Sequence, residues 1–280
     1  MNNGISCEEK NYKNFGKCLF VSDGSVNIIA SLEFGIRILA LFKSGGENLF
    51  YEQEKDSSYL CTKEGWRIYG GHRLAFAPES EKTYWPDNAP VRYTVLNNCI
   101  RLEQEEDGYL NIAKSMEISF TGNPCELSVV HRISNTGSRE LTGAPWAITA
   151  MAGGGSMILP WDPPESFTEA PNRFVSIWNS TSLSDPRLSF ADEYIEIKQL
   201  PVDNYFKMGF YSPKGTIRYK NKGCEFIKTT ALEKNKNYPD NNVNLEVFSC
   251  RHMMEIETLA ALRSLKPGES CEHRELWSIK

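Results

Sequence analysis

The chain has 280 residues, of which 40% are hydrophobic and 24% charged, and its formal net charge is −5. These values are typical of one soluble globular domain near the upper end of single-domain sizes. The acidic balance argues against nucleic-acid binding through a basic surface, and no apolar run reaches the roughly 20 residues of a membrane-spanning helix.

Cysteines, histidines and the N-terminal segment narrow the class of protein further. The first residues lack the apolar stretch of a signal peptide, so we expect a cytoplasmic protein with no membrane partner. Eight cysteines are scattered without a C-x-x-C pair, and four histidines show no metal-ligand spacing. In a reducing compartment such cysteines act as small buried apolar residues. The sequence therefore predicts no metal site.

In chain order, the pattern is that of short strands. We expect residues 1–15 to form an N-terminal extension and residues 16–280 a single domain. Three apolar runs between residues 17 and 42 predict a β-meander, with glycine-containing turns between them. Strand signals then recur at short spacing, and no stretch sustains the 3.6-residue period of an amphipathic helix. The sequence predicts an all-β protein built as one large sandwich.

The double glycine Gly70-Gly71 is followed at once by His72 and Arg73, with Glu79 six residues further on. Glycine has no Cβ, so the backbone here can come close to a ligand or to another chain segment. An imidazole, a guanidinium and a carboxylate in this setting favour a polar site on a loop. The alternative is a tight turn or bulge whose polar side chains only satisfy backbone carbonyls.

Three segments together resemble the galactose mutarotase-like superfamily, the fold of aldose 1-epimerases and hexose-6-phosphate epimerases. More closely, the chain is similar to a bacterial branch of that superfamily with a Gly-Gly-His-Arg-Leu motif, here residues 70–74. The resemblance covers roughly residues 20–280. It implies a β-supersandwich whose concave sheet face holds a small-molecule sugar, with no cofactor. The three segments are residues 26–50, residues 70–73, and residues 256–259 with the Leu-Lys-Pro-Gly-Glu turn at 265–269.

The resemblance also implies a reaction, in which a carboxylate takes the proton from the anomeric hydroxyl while an acid protonates the ring oxygen. The ring opens, and reclosure gives the other anomer. Glu257 is the candidate base, because strand alternation puts Glu255 on its face and two neighbouring carboxylates raise each other's pKa. The alternative is that this face is exposed to solvent. Glu246, bounded by apolar neighbours, is the competing carboxylate.

Basic side chains supply the other candidate roles. His72 is the candidate acid, and Arg73 would hold a hydroxyl, carboxylate or phosphate. His131 alternates with apolar residues, so it is a candidate sugar-binding group on a concave face or, alternatively, a core histidine. Lys207 and Lys228 stand among apolar residues. An inward cation would suit a sugar phosphate or uronate, whereas at a sheet edge its stem would simply cover apolar surface.

Trp146 marks a departure from the family, because hexose-phosphate epimerases carry a histidine after the corresponding turn. A tryptophan stacks well on a pyranose, but it cannot donate a catalytic proton. Two functions are therefore predicted: an epimerase-like enzyme with Glu257 as base and His72 as acid, or a non-catalytic carbohydrate-binding module with Trp146 against the sugar. Hydrolysis or elimination on oligosaccharides would need a second carboxylate facing Glu257. Loops at residues 85–88 and 161–164 are candidates for the rim of the cleft.

Overall fold

A computed structural model describes residues 4–161 and 173–280, with only the backbone at residues 105–107. Strands dominate the described chain, and the helical segments are single turns at Glu81–Tyr84 and Pro239–Asn242. No helix in the described ranges is long and apolar enough to cross a membrane. The strands are β1 (Ser6–Asn11), β2 (Lys17–Ser22), β3 (Val26–Ser31), β4 (Arg37–Lys43), β5 (Gly71–Ala77), β6 (Val91–Leu96), β7 (Cys99–Asp107), β8 (Ile112–Phe120), β9 (Glu126–Asn135), β10 (Leu141–Ala152), β11 (Ser156–Pro160), β12 (Val175–Ile177), β13 (Leu188–Phe190), β14 (Tyr194–Lys198), β15 (Phe206–Phe210), β16 (Thr216–Asn221), β17 (Cys224–Thr230), β18 (Leu245–Ser249), β19 (Met253–Leu259), β20 (Arg263–Leu265) and β21 (Ser270–Ile279).

The described strands form two antiparallel sheets that pack face to face. The first sheet runs β1-β2-β3-β4-β5-β10-β19-β18-β15-β12, with β20 paired to β10. The second runs β13-β14-β11-β16-β17-β21-β9-β8-β7-β6. The predicted meander is confirmed as β2, β3 and β4, and the predicted all-β sandwich is confirmed. Residues 6–11, expected in an N-terminal extension, form the edge strand β1 against β2.

Alternation along the strands builds one continuous core between the sheets. Along β8 every second residue is buried, from Ile112 to Phe120, because successive side chains of a strand point to opposite faces. The central strands of the first sheet behave differently. Every residue of β19 is buried, so the face of this sheet turned away from the core is covered as well. That covered second face is where a site could form.

The glycine pair before β5 makes close backbone contacts possible. Tyr69, Gly70 and Gly71 have φ values of +52°, +97° and +68°, a region that strongly favours glycine. A Cβ at Gly70 would lie 2.1 Å from the carbonyl oxygen of Tyr51, and one at Gly71 would lie 2.2 Å from that of Ile38. The sequence predicted that the backbone here comes close to a ligand or to another chain segment. In the structure it comes close to other chain segments, at Tyr51 and Ile38.

Candidate functional site

Four of five neighbouring strands in the first sheet carry charged side chains on the face turned away from the core. The register places Arg73 on β5, Glu257 on β19 and Glu246 on β18 in one row across the sheet, with Ile148 of β10 between the first two. Glu255, two residues before Glu257, lies in the next row and on the same face, because strand side chains repeat every second residue. The pairing of distant strands therefore creates a charged band.

Apolar clusters border this band on both sides. One consists of Ala75, Ala77, Trp146, Ile148 and Leu259, and the other is built around Trp66 and Met253. The loop after β5 covers part of the face, since Glu79 reaches Lys207 of β15 with 2.7 Å between the carboxylate oxygen and Nζ. The side chains of the band are thus withdrawn from bulk water, which strengthens the electrostatic interactions between them.

Glu257 lies at the centre of the band and is fully buried. Its Oε2 accepts a hydrogen bond of 2.6 Å from the indole Nε1 of Trp146, whereas its buried Oε1 has no partner. Burial raises the pKa of Glu257, while the Lys207 ammonium and the Trp146 N–H favour the ionised form and oppose that rise. One carboxylate oxygen of Glu257 is therefore hydrogen-bonded, and the other has no partner.

Glu246 differs from Glu257 in having no hydrogen-bond donor on either oxygen, although it is only 1% exposed. Burial and the neighbouring Glu257 charge raise its pKa well above the usual range, and Asp240 adds to the rise. Glu255 is also buried, with Oε1 unpartnered, and burial raises its pKa to about 7 against the opposing pull of Arg73. Burial and the neighbouring charge therefore favour the protonated form of Glu246, whereas Glu255 titrates near neutral pH.

Lys207 is the cation at the centre of the carboxylates. Its Nζ lies 3.5 Å from Glu246 and over the rings of Trp146 and Trp178, at 4.7 and 4.8 Å from their centroids. Burial disfavours the ammonium, but the surrounding carboxylates outweigh it and hold the pKa of Lys207 above its usual range. Lys207 remains charged, and its charge is already paired with Glu79.

Arg73 is the second cation, and it is buried with its Nε atom unpartnered. Its guanidinium lies over the Trp66 ring, 5.5 Å from the centroid. It also lines a cavity of about 220 Å³ whose wall includes Thr142 and, from the loop after β5, Trp85. Arg73 therefore links the charged band to open space and can accept a ligand group. The predicted rim loop at residues 85–88 contributes to this cavity, while residues 162–164 of the other one lie outside the described residues.

His72 and His131 lie on the opposite side of the first sheet, inside the sandwich. Adjacent residues of a strand point to opposite faces, so the side chain of His72 cannot share the face of Arg73. Both histidines are fully buried, and their Nε2 atoms are 2.7 Å apart. The structure thus separates these two predicted site residues from Glu257. His131 occupies the core position that was the alternative interpretation.

The hydrogen bonds of these histidines form a continuous chain. His131 Nδ1 is 3.1 Å from the carbonyl oxygen of His273, which only accepts, so the proton of His131 lies on Nδ1. His72 Nε2 must then donate to His131, and His72 Nδ1 accepts from the Thr149 hydroxyl at 2.8 Å. That hydroxyl in turn lies 3.0 Å from Nζ of Lys228. Burial lowers the pKa of both histidines, which keeps them neutral.

Lys228 connects this chain to Glu275, whose carboxylate is 2.9 Å away. His72, His131 and Glu275 each offer a metal-ligand atom, and these atoms lie within 4.8 Å of one another. However, Glu275 accepts from Lys228 and from Trp277, and the ring nitrogens of both histidines have partners. The hydrogen bonds of this group are complete without an ion. We therefore interpret it as a structural network of the core.

Five of the seven predicted site residues come together: Arg73, Trp146, Lys207, Glu246 and Glu257. Sequence reasoning missed the contributions of Trp66 and Trp178 to this site, and it named Glu79 in the polar loop without its contact to Lys207. Glu79 was visible as a carboxylate shortly after β5, but its contact with Lys207 spans 128 positions of the chain. No local pattern carries that information.

Comparison with known structures identifies the fold. The chain is similar to a TPR-domain containing protein from Parabacteroides distasonis (TM-score 0.65, 14% identity), covering 100% of this chain and 56% of that one, so it spans little more than half of that protein's length. It is also similar to a candidate aldose 1-epimerase from Escherichia coli K12 (TM-score 0.59, 14% identity, coverage 99% of each chain). A third similar structure is a galactose mutarotase-like protein from Lactobacillus casei (TM-score 0.59, 8% identity, coverage 94% and 100%).

Protein-family models and curated protein sequences give no match to this chain. At the identities of the structural neighbours, the likeness shows the fold alone. The predicted galactose mutarotase-like β-sandwich is thereby confirmed, whereas the branch with the Gly-Gly-His-Arg-Leu motif stays a prediction.

Proposed function

We propose that the chain binds a sugar over the charged band of the first sheet and interconverts its anomers by general acid–base catalysis. The observation that carries the proposal is the state of Glu257, a buried carboxylate with one oxygen held by Trp146 and the other without a partner. A base needs a free lone pair in a fixed position, and a general base typically contributes a factor of about 10²–10⁴.

Glu246 is the acid in this proposal, in place of His72. Two carboxyl groups in one site serve as acid and base when their surroundings separate their pKa values. The Trp146 N–H and the Lys207 ammonium favour the carboxylate form of Glu257. Glu246 accepts no hydrogen bond, and the nearby Glu257 and Asp240 raise its pKa further. Glu257 therefore takes the anomeric proton, and the protonated Glu246 supplies a proton to the ring oxygen.

Arg73 and Trp178 would hold the sugar. The unpartnered Nε of Arg73 can donate to a ring or hydroxyl oxygen. Trp178 is partly exposed at the edge of the band, and the ring face opposite Lys207 is of the kind that stacks on pyranoses. The ring of Trp146 already faces Lys207, so its role in the proposed reaction is to position Glu257.

NMR saturation transfer between the two anomers of a sugar tests this function. We expect exchange above the buffer rate and a loss of roughly 100-fold or more in Glu257→Gln, which keeps the shape of the side chain but removes the base. Glu196→Gln, on β14 of the second sheet, is the matched control and should exchange at the wild-type rate. Unchanged exchange in Glu257→Gln, or no sugar exchanged faster than buffer, would refute the proposal.

The second candidate function is sugar binding without turnover. It is supported by the tryptophan at the position where the resembling epimerases carry a histidine, and by the placement of His72 inside the core. Calorimetric binding of a sugar by wild type, together with anomer exchange no faster than buffer, would favour this function over the epimerase.

A further inference from the structure

The charged band contains more unpartnered oxygens than unpartnered nitrogens. Four buried carboxyl oxygens accept no hydrogen bond: both oxygens of Glu246, Oε1 of Glu255 and Oε1 of Glu257. On the donor side, the unpartnered buried nitrogen in the band is Nε of Arg73. A buried polar atom without a partner carries a free-energy cost. A ligand that completes the site must therefore donate more hydrogen bonds than it accepts.

The charges of the band also favour a ligand that donates hydrogen bonds. Five carboxyl groups lie in or next to the band, those of Glu79, Asp240, Glu246, Glu255 and Glu257. Two cations, Arg73 and Lys207, oppose them. The ammonium of Lys207 is 2.7 Å from Glu79 and 3.5 Å from Glu246, so its charge is already paired within the protein. An added phosphate or carboxylate would bring acceptors and negative charge to a site that already has an excess of both.

From these observations we propose that the sugar taken by this site carries an ammonium group, as an amino sugar does. This inference rests on the proposed sugar-binding function and names the substrate class. An ammonium donates three hydrogen bonds and accepts none, which suits the unpartnered Oε1 of Glu255.

Binding of a cation changes the protonation of the band. Burial raises the pKa of Glu255 to about 7, so this group is partly protonated at neutral pH in the free protein, and an ammonium beside it stabilises the carboxylate. In the protonated fraction the O–H bond of Glu255 breaks, its proton passes to solvent, and the ligand N–H donates to the carboxylate that remains, while Glu246 keeps the proton that the proposed reaction needs. Binding of an amino sugar should thus release protons, whereas binding of the uncharged parent sugar should release few.

Isothermal titration calorimetry with matched probes tests the inference: 2-amino-2-deoxyglucose, glucose, N-acetylglucosamine and glucose 6-phosphate, with the corresponding galacto sugars. We expect the amino sugar of one series to bind roughly tenfold or more tightly than its parent hexose, as expected for a charge-assisted hydrogen bond. Acetylation, which removes the charge, should abolish this preference. Titrations in buffers of different ionisation enthalpy should show proton release for the amino sugar.

Variants and alternative outcomes keep the inference separate from the proposed function. Glu255→Gln should reduce the preference for the amino sugar at least severalfold, and Glu196→Gln should retain it. Equal binding of amino sugar and hexose, tighter binding of the 6-phosphate, or no binding of either amino sugar would overturn the inference. In the first two cases, Glu257-dependent anomer exchange of a neutral hexose would still support the proposed function. Proton release is measured on the wild-type protein and does not depend on how the variants fold.

Discussion

At the residue scale, chemical environment separates carboxyl groups of the same type. Glu246 and Glu257 are cross-strand neighbours and both are buried. Glu257 accepts a hydrogen bond from the N–H of Trp146, and Glu246 accepts none. A hydrogen bond to the ionised form lowers a pKa and desolvation raises it, so these two glutamates divide into base and acid. Trp146, predicted as a stacking platform, contributes to the proposed site through its nitrogen.

The raised pKa of Glu246 predicts a stability effect that depends on pH. The unfolded chain ionises this group near its ordinary pKa of 4.5, while the folded chain resists ionisation. Folding stability contributed by Glu246 is therefore lost as pH rises above the unfolded value. Glu246→Gln removes that loss, so the variant should gain stability relative to wild type at pH 8 compared with pH 5.

Urea unfolding at both pH values measures this difference. Glu272→Gln, at an exposed position on β21, serves as the control and should show no pH-dependent gain. A Glu246→Gln variant whose stability difference from wild type is the same at pH 5 and pH 8 would contradict a raised pKa.

At the element scale, β5 depends on the close backbone approach at its start. The pair Gly70-Gly71 bends the chain into the sheet, after which β5 places His72 inward and Arg73 outward on successive residues. A bulkier residue at position 71 would both strain the backbone and collide with β4 at the carbonyl of Ile38. The inward direction of the His72 side chain and the outward direction of the Arg73 side chain therefore depend on this turn.

Gly71→Ala and Gly24→Ala form a matched pair for testing this role. Both glycines have positive φ, +68° and +90°, but a Cβ at Gly24 meets nothing within 4 Å. The backbone conformation alone should cost about 1–2 kcal/mol in each variant. The collision at position 71 should add roughly 1–3 kcal/mol. Urea unfolding curves of the two variants measure the difference, and equal destabilisation would show that the close contact is relieved without cost.

At the scale of the whole molecule, the two sheets are joined by a polar group as well as by apolar packing. Lys228 of β17 reaches across the core to the carbonyl oxygens of Ala147 and Ile256, at 3.0 and 3.4 Å. These two residues are next to Trp146 and Glu257 in the chain. The ion pair of Lys228 with Glu275 thus stabilises β10 and β19, which carry Trp146 and Glu257, from the core side of the first sheet.

Removing Lys228 should leave Glu275 as an uncompensated buried charge. We expect Lys228→Met to lower the free energy of unfolding by about 3–5 kcal/mol. Lys220→Met, which breaks an exposed pair with Glu225, should cost less than about 1 kcal/mol. Chemical denaturation followed by circular dichroism measures both. The double variant Lys228→Met with Glu275→Leu should recover much of the loss, and a single variant as stable as Lys220→Met would contradict the assigned role.

Much of the fold was predictable from local sequence. Short strands, glycine turns and the absence of a helical period predicted an all-β sandwich, because alternation and turn chemistry are properties of neighbouring residues. The same alternation placed Glu255 with Glu257 and His131 with apolar residues, and both placements are confirmed. The resemblance supplied the type of sandwich, which the structural neighbours confirm.

The sequence by itself thus determined the strand content and the turn at the glycine pair. It also determined which residues share a face along each strand. Only the tertiary structure decided which faces meet. The order β5-β10-β19-β18-β15 places Arg73, Trp146, Lys207, Glu246 and Glu257 on one face, and it turns His72 into the core. Whether an ionisable side chain is solvated or buried depends on strands and loops distant in the chain. Adjacent residues such as His72 and Arg73 can therefore serve opposite sides of the same sheet.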